Sequence, residues 1–141
     1  MNSIICNLVD NRGFFAMASR VIDIIVINNT NSILKFGYAN ALHGKVPYVS
    51  CGENILAVNG GRCTIHAEEK DSEDGFGLQG SFSFLFQDYS ERVFNFSYNY
   101  PMEICQTYAH ASGPTGYNYN TNVNHLSTNS AVYTIVLQKL E

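Results

Sequence analysis

The chain has 141 residues, of which only 14% are charged, and it contains nine Phe, nine Tyr and a net charge of −4. This length predicts one domain, residues 1–141, with a core that needs no covalent cross-links. The acidic balance and the scattered basic residues argue against nucleic acid and anionic lipid as partners, because both attract clustered Lys and Arg. A membrane target, if there is one, would have neutral or zwitterionic headgroups.

The N-terminal residues, the lengths of the apolar runs and the cysteine spacing predict a soluble protein with reduced thiols. Residues 1–10 lack a basic region and a long apolar run, so we expect no signal peptide. No apolar run approaches the roughly eighteen residues of a spanning helix. The four cysteines have no metal-ligand spacing, and free thiols are favoured over disulfides in a chain without a secretion signal: Cys6, Cys51, Cys63 and Cys105.

The first half of the chain predicts paired strands. A β-branched run at residues 21–27 ends at the turn formers of residues 28–31, and residues 33–38 follow at once, which predicts a hairpin. The turn sequence of residues 59–61 predicts a second hairpin between residues 55–58 and 63–67. Residues 1–18 are a possible N-terminal extension or edge strand.

The second half alternates apolar and polar residues with a period of two. Phenylalanines at residues 82, 84 and 86 alternate with Ser81, Ser83 and Leu85, and asparagine occupies every second position of residues 118–124. The whole chain contains about nine or ten short strands and no helical period. This pattern is typical of an all-β protein, and we predict a single-domain antiparallel β-sandwich.

Glycine and acidic residues are concentrated in the segment between residues 68 and 80. Residues 75–80 match the G-x-G-x-x-G pattern of dinucleotide sites, but a charged loop precedes them and a strand pattern follows. No helix N-terminus is therefore predicted to hold a phosphate. The acidic residues do not fit the spacing of an EF-hand. A solvated loop is favoured over a metal site, and the rim of a ligand site is a third interpretation.

Motifs of catalysis are absent from the sequence. There is no G-x-S-x-G elbow and no H-E-x-x-H pair, and the four histidines are spread along the chain. We expect no enzyme, no catalytic residue, no metal and no cofactor. The tyrosines near turns suit either a binding boundary or hydrogen bonds to the backbone, and the sequence does not choose between them: Tyr98, Tyr100, Tyr117 and Tyr119.

Three segments of the chain resemble the aegerolysins. Residues 24–45 contain an aliphatic strand, an Asn-rich turn, a second strand and then His43-Gly44-Lys45. Gly80-Ser81-Phe82 follows an acidic loop that contains glycine, and residues 98–102 are similar to the family's aromatic-x-x-Pro-aromatic segment. The similarity extends in order and length from about residue 20 to residue 140.

The resemblance implies recognition of a membrane lipid by a small β-sandwich. Members of the family bind sphingolipid-containing membranes, with sterol or through a ceramide phosphoethanolamine headgroup, and many recruit a larger perforin-like protein that forms the pore. Bacterial members include insecticidal two-component toxins. The resemblance therefore implies a cytolytic, hemolysin-like component that is released from the producing cell and acts at a target-cell membrane.

The resemblance also assigns candidate lipid-binding residues. They lie around the Gly-Lys motif, in the acidic loop and after the strand of residues 93–98: His43, Glu73, Asp74, Phe76, Tyr98, Tyr100, Pro101, Met102 and Glu103. Family sites are rich in tryptophan, whereas this chain has none, and His43 and Met102 stand where tryptophan is usual. The lipid specificity, and which loop residue acts as the acidic switch, therefore stay open.

Two other functions are compatible with the sequence. The asparagine face of residues 118–124 and nearby tyrosines would suit a soluble carbohydrate-binding module. The same asparagine ladder would suit a subunit contact in a structural oligomer.

Overall fold

The computed structural model describes residues 20–51, 55–70, 77–87, 92–101, 107–127 and 129–140. These residues form ten strands: β1 (Val21–Asn29), β2 (Leu34–His43), β3 (Tyr48–Val49), β4 (Ile55–Leu56), β5 (Gly61–Glu68), β6 (Leu78–Phe86), β7 (Val93–Tyr100), β8 (Tyr108–Ser112), β9 (Tyr117–His125) and β10 (Ser130–Lys139). The described residues include no helix that is long and apolar enough to cross a membrane. The possible extension or edge strand at residues 1–18 lies outside the described ranges.

The strands form two five-stranded sheets, which confirms the predicted β-sandwich. The first sheet has the order β3-β5-β1-β10-β9 and the second has the order β4-β2-β6-β7-β8. Neighbouring strands are antiparallel except β1 and β10, which pair in parallel from Val21↔Ser130 to Asn29↔Gln138. A parallel pair requires a long connection between its strands, and here almost the whole chain provides it.

The inner faces of the two sheets form the core. In the second sheet, Phe82 of β6 lies opposite Phe96 of β7, and their rings stack with centroids 5.0 Å apart. The first sheet contributes fully buried aliphatic and tyrosine side chains, among them Ile24, Tyr133 and Ile135. Burial of each such side chain contributes roughly 1.5–3 kcal/mol, so the period-two pattern of the sequence places stabilising side chains in the core.

The prediction of a hairpin between the first two strands is wrong, because β1 and β2 belong to different sheets. The buried side chain of Asn28 directs the chain across the sandwich. Its Nδ2 donates to Ser32 O at 2.8 Å, and its Oδ1 accepts from Thr30 N at 3.0 Å. The turn therefore obtains its hydrogen bonds from a side chain and needs no ladder between the flanking strands.

The predicted second hairpin is wrong for a related reason. Asn59 and Gly60 do form a turn with positive φ angles of 60° and 96°, but β4 joins the second sheet and β5 the first. The turn bonds to the first crossover, since Gly60 N donates to Asn28 O at 2.6 Å and Asn59 N donates to Thr30 O at 3.3 Å. These hydrogen bonds thus connect the two turns in which the chain crosses from one sheet to the other.

A disulfide joins Cys51 and Cys63, whereas the sequence favoured free thiols. The pairing of β3 with β5, at Tyr48↔His66 and Val49↔Ile65, brings the two Cα atoms to 5.0 Å. This separation lies within the range of disulfides, but the sequence did not show that β3 and β5 are neighbours. Cys6 and Cys105 lie outside the described residues.

The disulfide is expected to stabilise the fold. It closes a loop with a sequence separation of 12 residues, and loop-closure entropy then gives about 3 kcal/mol. We predict that the Cys51→Ala/Cys63→Ala variant loses about this much free energy of unfolding in urea. Reductant should destabilise the wild-type protein and leave the variant's midpoint nearly unchanged, whereas equal stability of the two proteins would contradict the role of the bridge.

Candidate functional site

One end of the sandwich, called the upper end here, brings together the segments that the resemblance singled out. At this end β2, β5, β7 and β9 finish, and β6, β8 and β10 begin. Lys45 N, just after β2, donates to Glu68 O at 2.8 Å, and Gly77 N, just before β6, donates to Glu69 Oε2 at 2.9 Å. These bonds tie the end of the second sheet to the end of the first.

The borders of the two predicted lipid-binding loops meet at the upper end. A Cβ atom at Gly77, whose φ is +84°, would lie 2.7 Å from Pro101 Cα, so only glycine allows this approach without a shift of the backbone. His43 lies in β2 opposite Gln79 of β6, beside these borders. The remaining predicted residues of the two loops lie outside the described ranges: Glu73, Asp74, Phe76, Met102 and Glu103.

Tyr98 and Tyr100 lie in the core, although the resemblance placed them at a membrane boundary. Both side chains are fully buried on the inner face of β7. The Arg20 guanidinium lies 4.7 Å from the centroid of the Tyr100 ring, and the His125 ring lies 5.5 Å from it. Burial raises the pKa of both phenols above the ordinary value. These tyrosines therefore shape the upper end from within and do not present an aromatic surface.

A cavity of about 200 Å³ opens near the upper end, across β2, β6, β7 and β8. Its described lining is free of charged side chains and consists of Asn40, Leu42, Gln79, Gly80, Ser81, Ser97, Tyr98 and Tyr108. Leu42, with 66% of its surface exposed, and Tyr108, with 45%, form an apolar rim around polar groups. Sequence reasoning missed this cavity, because its residues come from four strands whose neighbours the sequence did not reveal.

The Tyr98 hydroxyl is a buried polar group beside this cavity. It lies in contact with the position that a Cβ of Gly80 would occupy, so Gly80 leaves the space that the phenol fills. Within the part of the chain that the structure describes, this hydroxyl has no hydrogen-bond partner. An unpaired buried hydroxyl costs free energy, and such groups are rare in folded proteins.

Charged residues of the upper end are bound to one another. His66 Nδ1 lies 2.8 Å from Asp23 Oδ1 and its Nε2 lies 3.0 Å from Glu68 Oε1, and the hydrogen bond to Asp23 is the main reason that its pKa is raised. Lys45 Nζ donates to Glu68 Oε2 at 2.6 Å, which lowers the pKa of that carboxyl. The stabilising effect of protonated His66 is present at low pH and is lost as pH rises through its raised pKa.

The acidic residues at the start of the loop have structural partners. Glu69 is buried, and its carboxylate accepts from Arg20 N at 2.6 Å as well as from Gly77 N. Among the described residues, no group of three His, Cys, Asp or Glu side chains is placed to hold a metal ion. Glu69 is thus a buried anchor of the loop and not a solvated side chain.

The asparagine ladder of β9 and the neighbouring tyrosines lie on opposite faces of the strand. Its asparagines are exposed on the outer face, whereas Tyr117 and Tyr119 are half-buried against the core. Tyr119 stacks on Phe94 with centroids 5.5 Å apart, and its hydroxyl donates to Pro114 O at 2.8 Å. β9 itself therefore places no tyrosine on its asparagine face.

Replacement of the buried Tyr98 hydroxyl tests whether it is unpaired. Because Tyr98→Phe removes a polar group without a partner, we predict that the free energy of unfolding rises by about 1 kcal/mol. The matched control is Tyr133→Phe, since Tyr133 Oη donates to Asn99 O at 2.9 Å, and this variant should lose about 1 kcal/mol. Urea unfolding measures both, and equal losses in the two variants would contradict the assignment.

Comparison with solved structures shows that other proteins share this fold. The chain is similar to RahU in complex with a TRIS molecule, with a TM-score of 0.60, 15% identity and coverage of 86% of this chain and 96% of that chain. It is similar to the lipid-binding protein Nakanori, with a TM-score of 0.61, 7% identity and coverage of 97% and 80%. A third similar structure is IP-1A from Alcaligenes faecalis, with a TM-score of 0.54, 15% identity and coverage of 93% and 100%.

No protein-family model matches the sequence, and no curated protein matches it. At these identities the likeness concerns the fold. The chain thus has the β-sandwich fold that RahU, Nakanori and IP-1A share.

Proposed function

We propose that the protein binds a neutral or zwitterionic membrane lipid through its upper end. The observation that carries this proposal is that three exposed aliphatic side chains lie at the same end of the sandwich as the uncharged cavity, which one of them, Leu42, lines. Leu42, Val46 and Leu126 are 66%, 61% and 63% exposed. Leu42 lies near the end of β2, Val46 follows β2, and Leu126 follows β9. These side chains would enter the apolar part of a membrane while the cavity binds a headgroup.

The cavity suits a headgroup without net charge. Amide and hydroxyl groups of Asn40, Gln79 and Ser97 can donate to phosphate oxygens, and the exposed ring of Tyr108 can contact a quaternary or primary ammonium. A purely anionic headgroup would find no cation among the described residues of the lining. The chain's net charge of −4 also disfavours an anionic membrane.

The structural comparison supports lipid binding in particular. One of the similar folds belongs to Nakanori, a lipid-binding protein, and its likeness covers 97% of this chain. The resemblance to the aegerolysins, based on residues 24–45, 80–82 and 98–102, points in the same direction. We therefore propose a sphingolipid, with or without sterol, as the ligand.

The wider role that we propose is the recognition component of a two-component pore-forming toxin. In this role the protein has no enzymatic activity, needs no cofactor and recruits a larger perforin-like partner to the membrane. The resemblance supports the partner, and the Cys51–Cys63 bridge supports action outside the producing cell, since disulfides persist in oxidising surroundings.

Co-sedimentation with vesicles tests lipid binding. We expect the protein to bind vesicles of sphingomyelin and cholesterol or of ceramide phosphoethanolamine more tightly than vesicles of phosphatidylserine. Each inserted leucine contributes roughly 1.5–3 kcal/mol, so Leu42→Ser/Leu126→Ser should weaken binding more than about tenfold. Absence of binding to every sphingolipid mixture would contradict the proposal.

The matched control is Leu140→Ser at the opposite end, where the leucine is 55% exposed. This variant should bind as the wild type does, and an equal loss in both variants would move the membrane contact away from the upper end. The same vesicles loaded with dye test the need for a partner. The protein alone should bind without release of dye, and release by the protein alone would contradict the recruiting role.

A sugar is the second candidate ligand of the same cavity. Asn40 and Gln79 with the Tyr108 ring also suit hydroxyl groups and the apolar face of a sugar. A glycan array separates the two functions, because headgroup recognition predicts no binding to free sugars.

A further inference from the structure

A histidine lies between two carboxylates on the outer face of the first sheet, near the upper end. His66 of β5 is the cross-strand neighbour of Asp23 in β1 on one side and of Tyr48 in β3 on the other. Its Nδ1 lies 2.8 Å from Asp23 Oδ1, and its Nε2 lies 3.0 Å from Glu68 Oε1. Both ring nitrogens of one imidazole are thus within hydrogen-bond distance of a carboxylate oxygen.

These contacts suit an imidazolium better than a neutral imidazole. An imidazolium has an N–H donor for each carboxylate, whereas a neutral imidazole has one N–H and one nitrogen lone pair. In the neutral state one lone pair would face a carboxylate oxygen, so that contact opens or takes in water. The hydrogen bond to Asp23 is the largest of the effects that raise the pKa of His66, burial opposes it in part, and the contacts with Glu68 act in the same direction as Asp23.

Glu68 connects this histidine to the segment that follows β2. Its Oε2 accepts a hydrogen bond from Lys45 Nζ at 2.6 Å, and its main-chain O accepts one from Lys45 N at 2.8 Å. One carboxylate therefore bridges His66 and Lys45. The next residue is Val46, one of the exposed side chains proposed above to enter the membrane. The proton on His66 is thus linked through Glu68 to part of the proposed membrane contact.

The charge of the cluster also depends on this proton. When His66 is protonated, the two carboxylates of Asp23 and Glu68 face two cations, His66 and Lys45. When His66 is neutral, one carboxylate of the four side chains is left in excess. Tyr48, the neighbour from β3, adds an exposed phenol. Insertion of Val46 would bring the cluster to the membrane surface, where a charge in excess costs free energy because it loses hydration.

We propose that His66 is a pH switch of membrane binding by the upper end, and that its protonation strengthens the binding. This inference rests on the lipid-binding function proposed above. The proton fixes Glu68 between His66 and Lys45, and it balances the charge of the cluster that approaches the membrane. Because the pKa of His66 is raised in the folded protein, this contribution is complete below the ordinary pKa of histidine and is lost as pH rises through the raised pKa.

Co-sedimentation with sphingomyelin–cholesterol vesicles at about pH 5.5 and about pH 8.5 tests the switch, because histidines titrate in this range and carboxylates with ordinary pKa values stay ionised. We expect the wild type to bind about threefold more tightly at the lower pH, a modest factor because solvent screens these partly exposed ion pairs. His66→Gln cannot take up the proton and should bind equally at both pH values. An unchanged pH dependence in His66→Gln, or tighter wild-type binding at the higher pH, would overturn the proposal.

The matched control is His110→Gln, which replaces an exposed histidine of β8 in the second sheet. It should keep the pH dependence of the wild type, and its loss in both variants would overturn the assignment to His66. Asp23→Asn provides a second variant if His66→Gln impairs folding. It removes the hydrogen-bond partner that raises the pKa of His66 most, so tighter binding should then require a lower pH than in the wild type.

Measurements without vesicles test the cluster separately from lipid binding. NMR titration should give His66 a raised pKa, and Asp23→Asn should lower it. At about pH 5.5 the amides of residues 45–49 should be more protected from exchange in the wild type than in His66→Gln, and equal protection would contradict the link through Glu68. Absence of vesicle binding at both pH values would contradict the lipid-binding function together with its switch. Binding with the same pH dependence in the wild type and His66→Gln would contradict the switch alone.

Discussion

The architecture depends on the contact between the inner faces of the two sheets. Phe82 and Phe84 of β6 face Phe96 and Phe94 of β7, and the stacked rings fill the space against the aliphatic face of β1 and β10. Because this layer fixes the two sheets face to face, the loops can gather only at the two ends of the strands. Each end then acquires its own chemistry from the residues that happen to finish or begin strands there.

The sequence predicted the core-facing residues well, because alternation with a period of two is a local property. The phenylalanines of β6 and β7, and the alternating faces of β9 and β10, are found as the pattern indicates. The pairing of the strands was harder to predict from the sequence. Whether β1 and β2 form a hairpin or cross between sheets depends on the buried Asn28 side chain, and its partners became apparent only in three dimensions. The disulfide was missed for the same reason, since it follows from the pairing of β3 with β5.

The sequence indicated which segments form the candidate site, but not which of their side chains are exposed. The resemblance pointed to His43, the glycine-bearing loop and Pro101, and the structure brings the described borders of these segments together around Gly77. It buries Tyr98 and Tyr100, however, and exposes Leu42, Val46 and Leu126. For Leu42 the reason is the bulge between Ala41 and His43, since an extra residue in β2 changes which side chains face outward and alternation alone does not reveal it.

The two ends of the sandwich differ: β2, β5, β7 and β9 finish at the upper end and begin at the opposite, lower end. The upper end combines an uncharged polar cavity with exposed aliphatic groups, and the lower end combines a cavity with two cations beside Tyr117. A protein bound to a membrane by its upper end would direct its lower end away from the bilayer.

Hydrogen exchange of the backbone amides, measured with and without sphingomyelin–cholesterol vesicles, tests the membrane orientation most directly. We predict slower exchange on vesicle binding in residues 40–46, 107–110 and 124–127 at the upper end. Residues 31–35 and 113–117 at the lower end should exchange at unchanged rates. Protection confined to the lower end, or to the asparagine face of residues 118–124, would contradict the central claim that the upper end is the lipid-binding surface.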